Sequence, residues 1–465
     1  MTCTQAYDQI SPSPDAMDLG ELVGSLSYAL DLTEGQPPGH CIRCCWIGMQ
    51  IGQELGLPEP VLSDLYFTLL LKDLGCSSNA ARICALYVTD DLTFKRDFKA
   101  LDGSMNAALR FILANTGLKE GLSQRIKAVV NAVRNGKAVM QELIETRCHR
   151  GADIAAKLRF SERVQNGIRC LDEHWNGGGY PDGLRRDAVP LQSCIALLSQ
   201  VVDVFHTEQG PQTALAEVQS RSGTWFAPQV VAAFETVQKQ PQFWQMLPDP
   251  DLAAAVFTMQ VRYDAITVDE DYLDDISEAF SDVVDAKSTF TADHSKRVTL
   301  YSDMIAAEMG MSDAHRRWFR RAAQLHDLGK LGVSNQILDK PDKLDAEEWE
   351  AVKSHPLLSE NILNRVSAFR DIAFIAGAHH ERLDGKGYPH GISGDELPLE
   401  VRILTVADVF DALSAARPYR AAMPTEKALG ILDEGIGTAF DGDCVRALKR
   451  ALDRLETSLD QLGSL

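Results

Sequence analysis

No apolar run in this chain approaches the ~20 residues needed to span a bilayer, and no charged, hydrophobic, then small-residue leader opens it. Those absences argue against a membrane-spanning helix and a secretory leader, and lead to the expectation of a cytoplasmic protein. Two-residue apolar alternation is also nearly missing, which argues against a sheet-based fold. Positive charge is scarce: 46 Lys and Arg face 66 Asp and Glu, giving a net charge of −20 and a pI near 5.0. Nucleic acid and membrane surfaces need an electropositive face, so neither is expected as a partner. No receiver-like, transmembrane or periplasmic sensor segment names an input. The ten cysteines are scattered, with Cys44 and Cys45 vicinal, and read as free thiols rather than disulfides. A zinc site from Cys41, Cys44 and Cys45 would lack the second cysteine pair it needs.

What the chain does hold is a run of histidines and aspartates in its C-terminal half. His294, His326–Asp327, His355, His379–His380 and Asp408 bring five of the eleven histidines into little more than a hundred residues. Imidazoles mixed with carboxylates suit iron, manganese or zinc, and seven ligands are too many for one ion. Each fragment alone is weak, because a His–Asp pair is commonly a surface accident. Successive helix residues point about 100° apart, so the doublet can serve two ions. Together, burying so many polar rings without metal would cost several kcal/mol in desolvation. Two ions sharing a water suit phosphate ester hydrolysis, and the chain reads as a hydrolase.

At 465 residues and 45% hydrophobic, the chain has material for two or three domains. It is written as one unit twice. Asp31 precedes His40 as Asp285 precedes His294, and 32 residues on stand Lys72-Asp73-Leu-Gly and His326-Asp327-Leu-Gly. Asn176-Gly-Gly-Gly-Tyr-Pro matches Asp384-Gly-Lys-Gly-Tyr-Pro, and Gly223-Thr-Trp-Phe matches Gly437-Thr-Ala-Phe. Helical period dominates: His294, Val298, Tyr301, Ile305 and Met309 share a face, as do His355, Leu358 and Ile362, and Leu404, Asp408 and Asp411. The expected fold is all-α, two tandem helical bundles with ligands projecting inward from different helices. The units are 1–246, with a helical insertion at about 77–145, and 276–465, joined by a connector at 247–275.

His294, His326-Asp327-Leu-Gly-Lys330, His355, His379-His380-Glu-Arg-Leu-Asp-Gly-Lys-Gly-Tyr388-Pro and Ala407-Asp408-Val-Phe-Asp-Ala-Leu followed by Arg417-Pro-Tyr-Arg420 resemble the HD-GYP subgroup of HD-domain phosphohydrolases. The resemblance covers roughly residues 278 to 450, and the first unit resembles a degenerate copy. It implies a metal-dependent cyclic-dinucleotide phosphodiesterase, most often acting on cyclic di-GMP to give pGpG or GMP. Alternatives are hydrolysis of 3′,3′-cyclic GMP-AMP and a scaffold that binds cyclic dinucleotides without cleaving them. A nucleotidase of the broader HD group fits the doublet and the Gly-Tyr-Pro loop less well. The implied cofactors are two divalent ions, iron or manganese, held by His294, His326, Asp327, His355, His379, His380 and Asp408, with Asp327 bridging. Phe290 stands where some members place a glutamate for a third metal. Lys330 is the expected catalytic cation beside Asp327, and Lys330, Arg417 and Arg420 would hold phosphate oxygens. The Gly-Tyr-Pro loop reads equally as a tight turn and as a surface for substrate entry or diguanylate cyclase domains. Self-association as a homodimer is left open.

In the first unit Lys72 replaces His326, and Leu171 and Asp172 replace His379 and His380. Gln200 replaces Asp408 in ungapped alignment, with Asp203 the substitute if the register shifts. His40, Asp73 and His149 read as survivors of the ligand set, too few for a strong metal site. Lys72 would then put a tethered cation where a metal's charge was, leaving the first unit a structural or regulatory role.

Overall fold

The computed structural model describes residues 19–463 except 102–104, 119–120, 261–267, 289–292 and 417–420. Among the described residues there is no strand, as expected for an all-α chain. Two isolated bridges occur, Ser222 with Phe226 and Ile436 with Phe440, at matching places in the two repeats. The chain divides into two compact units, one of Met17–Val268 with Ser334–Gln336, the other of Asp269–Val333 with Ile337–Leu465.

The first unit is built on α1 (Leu19–Thr33), α2 (His40–Glu54), α3 (Glu59–Leu71), α4 (Asp91–Lys99), α5 (Met105–Asn115), the long α6 (Leu122–Lys157) and α7 (Leu191–Gln209), with shorter helices between. Proline opens α3 within its first turn, where its missing N–H costs nothing. Asp90 caps α4 by accepting from Thr93 N. Its core is aliphatic: Ile47, Ile51, Leu65, Leu69, Ile195 and Leu198 are fully buried, each worth about 1.5–3 kcal/mol of burial. The expected insertion holds helix Ala80–Tyr87, α4, α5 and much of α6. It has an apolar cluster of its own in which Tyr87 stacks on Phe94 at 4.3 Å.

The second unit uses α8 (Glu270–Asp285), α9 (His294–Glu308), α10 (Asp313–Leu325), α11 (His355–Leu363), α12 (Arg370–Gly377), α13 (Leu399–Ser414) and α14 (Gly442–Gly463). Asp269 caps α8 and Ser312 caps α10 through side-chain oxygens. Helices α10, α11 and α13 pack on α12, α11 also packs on the turn at Leu328–Gly332, and α9 packs on α10 and α13. The expected connector contains helix Leu252–Thr258 and the start of α8.

Candidate metal centre

Most donors sit at helix ends, where the chain can aim a side chain without distorting a helix. His294 and His355 are the first residues of α9 and α11. His326 caps the C-terminus of α10, with Asp327 next, and His379–His380 follow α12. Asp408 projects from within α13. All but His380 are buried, and its side chain is 25% exposed.

Asp327 is the hub. Its Oδ2 lies 3.3 Å from His294 Nε2 and 3.4 Å from His326 Nε2, and its Oδ1 lies 3.2 Å from His355 Nε2 and 3.9 Å from His379 Nε2. One carboxylate thus turns an oxygen to each of two histidine pairs. Asp408 flanks the same space, with Oδ1 3.3 Å from His294 Nε2 and Oδ2 3.9 Å from His380 Nδ1. The structure therefore gathers all seven residues that the pattern singled out. Lys330 Nζ bonds to Asp327 Oδ2 at the less buried edge. Arg417, Arg420 and Phe290 lie outside the described residues.

The outer faces of the rings set their tautomers. His326, His355 and His379 each point Nδ1 at the carbonyl three residues back, Ala323, Val352 and Ala376, at 2.5–2.7 Å. Nδ1 must donate there, so each Nε2 carries a lone pair inward. His355 Nε2 and His379 Nε2 then face each other at 3.2 Å as two acceptors, a repulsion of lone pairs that a cation between them would relieve. His294 Nε2, His326 Nε2 and Asp327 Oδ1 are buried without an aligned hydrogen-bond partner. The set of neutral nitrogens and carboxylate oxygens fits divalent iron, manganese or zinc.

Electrostatics agree. Burial, then neighbouring histidines, hold His379 well below its ordinary value, and burial and His355 push His380 down to about 3. Both are ready to bind metal without losing a proton. Burial opposes charge on His294, yet Asp327, Asp408 and Asp411 outweigh it and push the ring up to about 10. The same carboxylates would draw a metal ion's positive charge into that place. Asp327 and Asp408 are held well below the carboxylate range: burial opposes this, but His326 and Lys330 beside Asp327, and His294 and His380 beside Asp408, prevail.

Sequence reasoning assigned no role to Asp411. It accepts from His294 Nδ1 at 2.7 Å and from Arg297 Nε at 2.5 Å, fixing an inward ring that does not lean on a backbone carbonyl. The available signal was its place three residues after Asp408 on the same face of α13. Glu381 was also missed. Its carboxylate accepts from the backbone N–H of His390, Gly391 and Ile392 at 2.6–3.1 Å and shapes the Gly-Tyr-Pro loop. In that loop Gly385 has φ +70°, and a Cβ on Gly387 would lie 2.4 Å from Glu381 Cα. Tyr388 lies with its ring centroid 4.9 Å from that of His380, so the tight turn also walls the site.

The first unit corrects one register. A Cβ on Gly75 would meet the Arg147 carbonyl at 1.9 Å, as a Cβ on Gly329 would meet that of His355 at 2.0 Å. Arg147, not His149, therefore occupies the place of His355. His149 is exposed, with Nδ1 on the Glu145 carbonyl. A two-residue offset on a helix is a rotation of about 200°, enough to move a side chain to the opposite face. Asp203 accepts from His40 Nδ1 at 2.6 Å and from Arg43, repeating Asp411 and Arg297, so Gln200 replaces Asp408 without a register shift. The thiols of Cys41, Cys44 and Cys45 are buried and free, their pKa values raised by burial.

The HD domain family matches residues 98–230 and 278–444. The chain belongs to the HD-domain family of cyclic-dinucleotide phosphodiesterases. It is 54% identical, over 97% of its length and 98% of the relative's, to a Vibrio cholerae protein named "3′3′-cGAMP-specific phosphodiesterase 3". A solved structure of a Vibrio cholerae phosphodiesterase described as specific for cyclic GMP-AMP matches with TM-score 0.65 and 50% identity, over 94% of this chain and 97% of that one. A cyclic di-GMP phosphodiesterase response regulator of Xanthomonas campestris is 40% identical over 36% of this chain and 45% of its own.

Proposed function

We propose that this HD-domain protein hydrolyses a cyclic dinucleotide at the His294–Asp408 centre, and that its preferred substrate is 3′,3′-cyclic GMP-AMP rather than the cyclic di-GMP expected from sequence. The observation that carries the preference is the end-to-end similarity to a relative named for cyclic GMP-AMP. The cyclic di-GMP phosphodiesterase of Xanthomonas campestris corresponds only to about a third of the chain.

His294, His326, Asp327, His355, His379, His380 and Asp408 would hold two divalent ions. Such ions would supply Lewis acidity and would lower the pKa of a water toward neutrality. The rest is the work of the protein. The backbone carbonyls behind His326, His355 and His379 hold three nitrogens in the basic tautomer before anything binds. Asp327 presents one oxygen to each half of the site, which fixes the spacing of whatever charge sits there. Lys330, at the open edge, offers an ammonium where the negative oxygens of a phosphodiester would approach, and stabilises charge that grows as the ester opens. Tyr388 covers His380 from the loop side and narrows the approach.

The test is kcat/KM for both dinucleotides on anaerobically purified, metal-loaded protein, with His326→Ala as control. Turnover favouring cyclic GMP-AMP, absent in the variant, is expected. Equal or faster cyclic di-GMP hydrolysis would overturn the substrate preference. Binding of either without hydrolysis would overturn the enzyme in favour of a scaffold.

A further inference from the structure

The first unit carries the counterpart of the metal centre, and its two halves are filled by side-chain cations. Lys72 is fully buried, bonds to Asp73 Oδ2, and lies 3.0 Å from His40 Nε2. These partners correspond to Asp327 Oδ2 and His294 Nε2, so the ammonium stands in the His294–His326 half. In the other half, Arg147 holds the His355 place and bonds to Asp172, which holds that of His380. Lys99 Nζ reaches 3.9 Å from Asp73 Oδ1 and 2.5 Å from Glu34.

We infer that Lys72 in one half, and Arg147 with Lys99 in the other, are built-in replacements for two metal ions, and that the first unit keeps its buried carboxylates neutralised with no ion bound. Charge bookkeeping separates this from a vestigial ligand-binding pocket. Four cations, Lys72, Lys95, Lys99 and Arg147, meet four carboxylates, Asp73, Glu34, Asp91 and Asp172, so no excess of either sign is left to recruit a metal or an anionic nucleotide. The second unit differs. Among its described residues Lys330 is the only ammonium or guanidinium bonded to Asp327 or Asp408, against two carboxylates and five inward imidazoles. Donor chemistry agrees: Leu171 removes one nitrogen, and His40 Nδ1 is engaged by Asp203 at 2.6 Å while its Nε2 faces the ammonium. The first unit should therefore be indifferent to metal supply, and loss of metal should be felt by the second unit alone.

Hydrogen exchange on the full-length protein, with and without exhaustive chelation, tests this alongside elemental analysis. Peptides covering 40–73 should keep their protection on chelation. Lost protection there, or bound metal well above two ions per chain, would overturn the inference. An untouched first unit together with no metal anywhere would instead strike the di-metal reading of the second unit. Lys72→Met, which keeps length and removes charge, should lower protection of 40–73 by roughly 100-fold or more, because it strands a buried carboxylate. Adding Asp73→Asn should restore much of it. A Lys72→Met protein as protected as wild type would overturn the inference.

Discussion

Asp411 offers the sharpest single-residue test of how the centre works, because it orients His294 and touches no substrate. Replacing it with asparagine leaves the shape but removes the charge that holds the ring, and outer partners of this kind typically contribute about 10–100-fold in metal affinity or activity. Asp411→Asn should therefore weaken manganese binding by roughly that factor, read by metal titration, with the helical signal unchanged. His326→Ala, which removes one inward nitrogen and leaves Asp327 short of a partner, should abolish turnover outright. The donors themselves were legible in sequence because their spacing and doublets are chemically odd. Their orienting partners were not: Ala323, Val352 and Ala376 act through backbone carbonyls, which carry no side-chain signature, and Asp411 resembles any acidic residue on a helix.

At the scale of elements, the correction at α6 decides between two residues two positions apart. Arg147→Ala should destabilise the first unit by about 3–5 kcal/mol, since it breaks a largely buried pair with Asp172. His149→Ala should stay within about 0.5 kcal/mol, as an exposed position does. Chemical denaturation of both variants reads the difference, and a reversed order would restore the register expected from sequence. The repeat was visible in the Gly-Tyr-Pro and Gly-Thr segments because glycines with fixed backbone demands punctuate both copies. The register was lost inside the insertion, where the extra helical residues give no fixed point to count from. The Gly-Tyr-Pro loop makes a second element-scale prediction. Gly387→Ala would press a Cβ against the backbone of Glu381, Arg382 and His380. It should lower kcat through displacement of His380 while leaving the helical content intact, as circular dichroism and kinetics on one sample would show.

For the whole molecule, the two units should respond differently to metal removal, and depressed carboxylates make the first unit sensitive to acid. Asp73 and Asp203 are held below the carboxylate range, burial being outweighed by Lys72 and Lys99 for the first and by His40 and Arg43 for the second, and Glu34 is lowered to about 2 against burial by Lys99 and Lys95. A carboxylate whose pKa is depressed on folding contributes stability that is complete above its unfolded value, about 4. That stability is lost as pH falls through the folded value. The first unit should thus hold from neutral pH down to about 4 and weaken below it, followed by hydrogen exchange of peptides from 40 to 73 across an acid series. Domain number and the all-α class were legible from repetition and helical period. The charge compensation inside the first unit was only half legible: Lys72 stood out beside Asp73, but Lys99 reaches Asp73 and Glu34 from α4 in the insertion, and Arg147 reaches Asp172 from α6.

The way each ring is anchored also accounts for which histidines the two copies share. His326, His355 and His379 lean on the carbonyl three residues back, so exchanging any of them strands no orienting side chain behind the ring. The first copy has lysine, arginine and leucine at those places. His294 alone is held by a buried carboxylate that a neighbouring arginine also grips, and a change there would leave a carboxylate without its partner. Its counterpart His40 is still a histidine, gripped by Asp203 and Arg43. The two copies differ where the anchor is main chain and agree where it is another residue's charge.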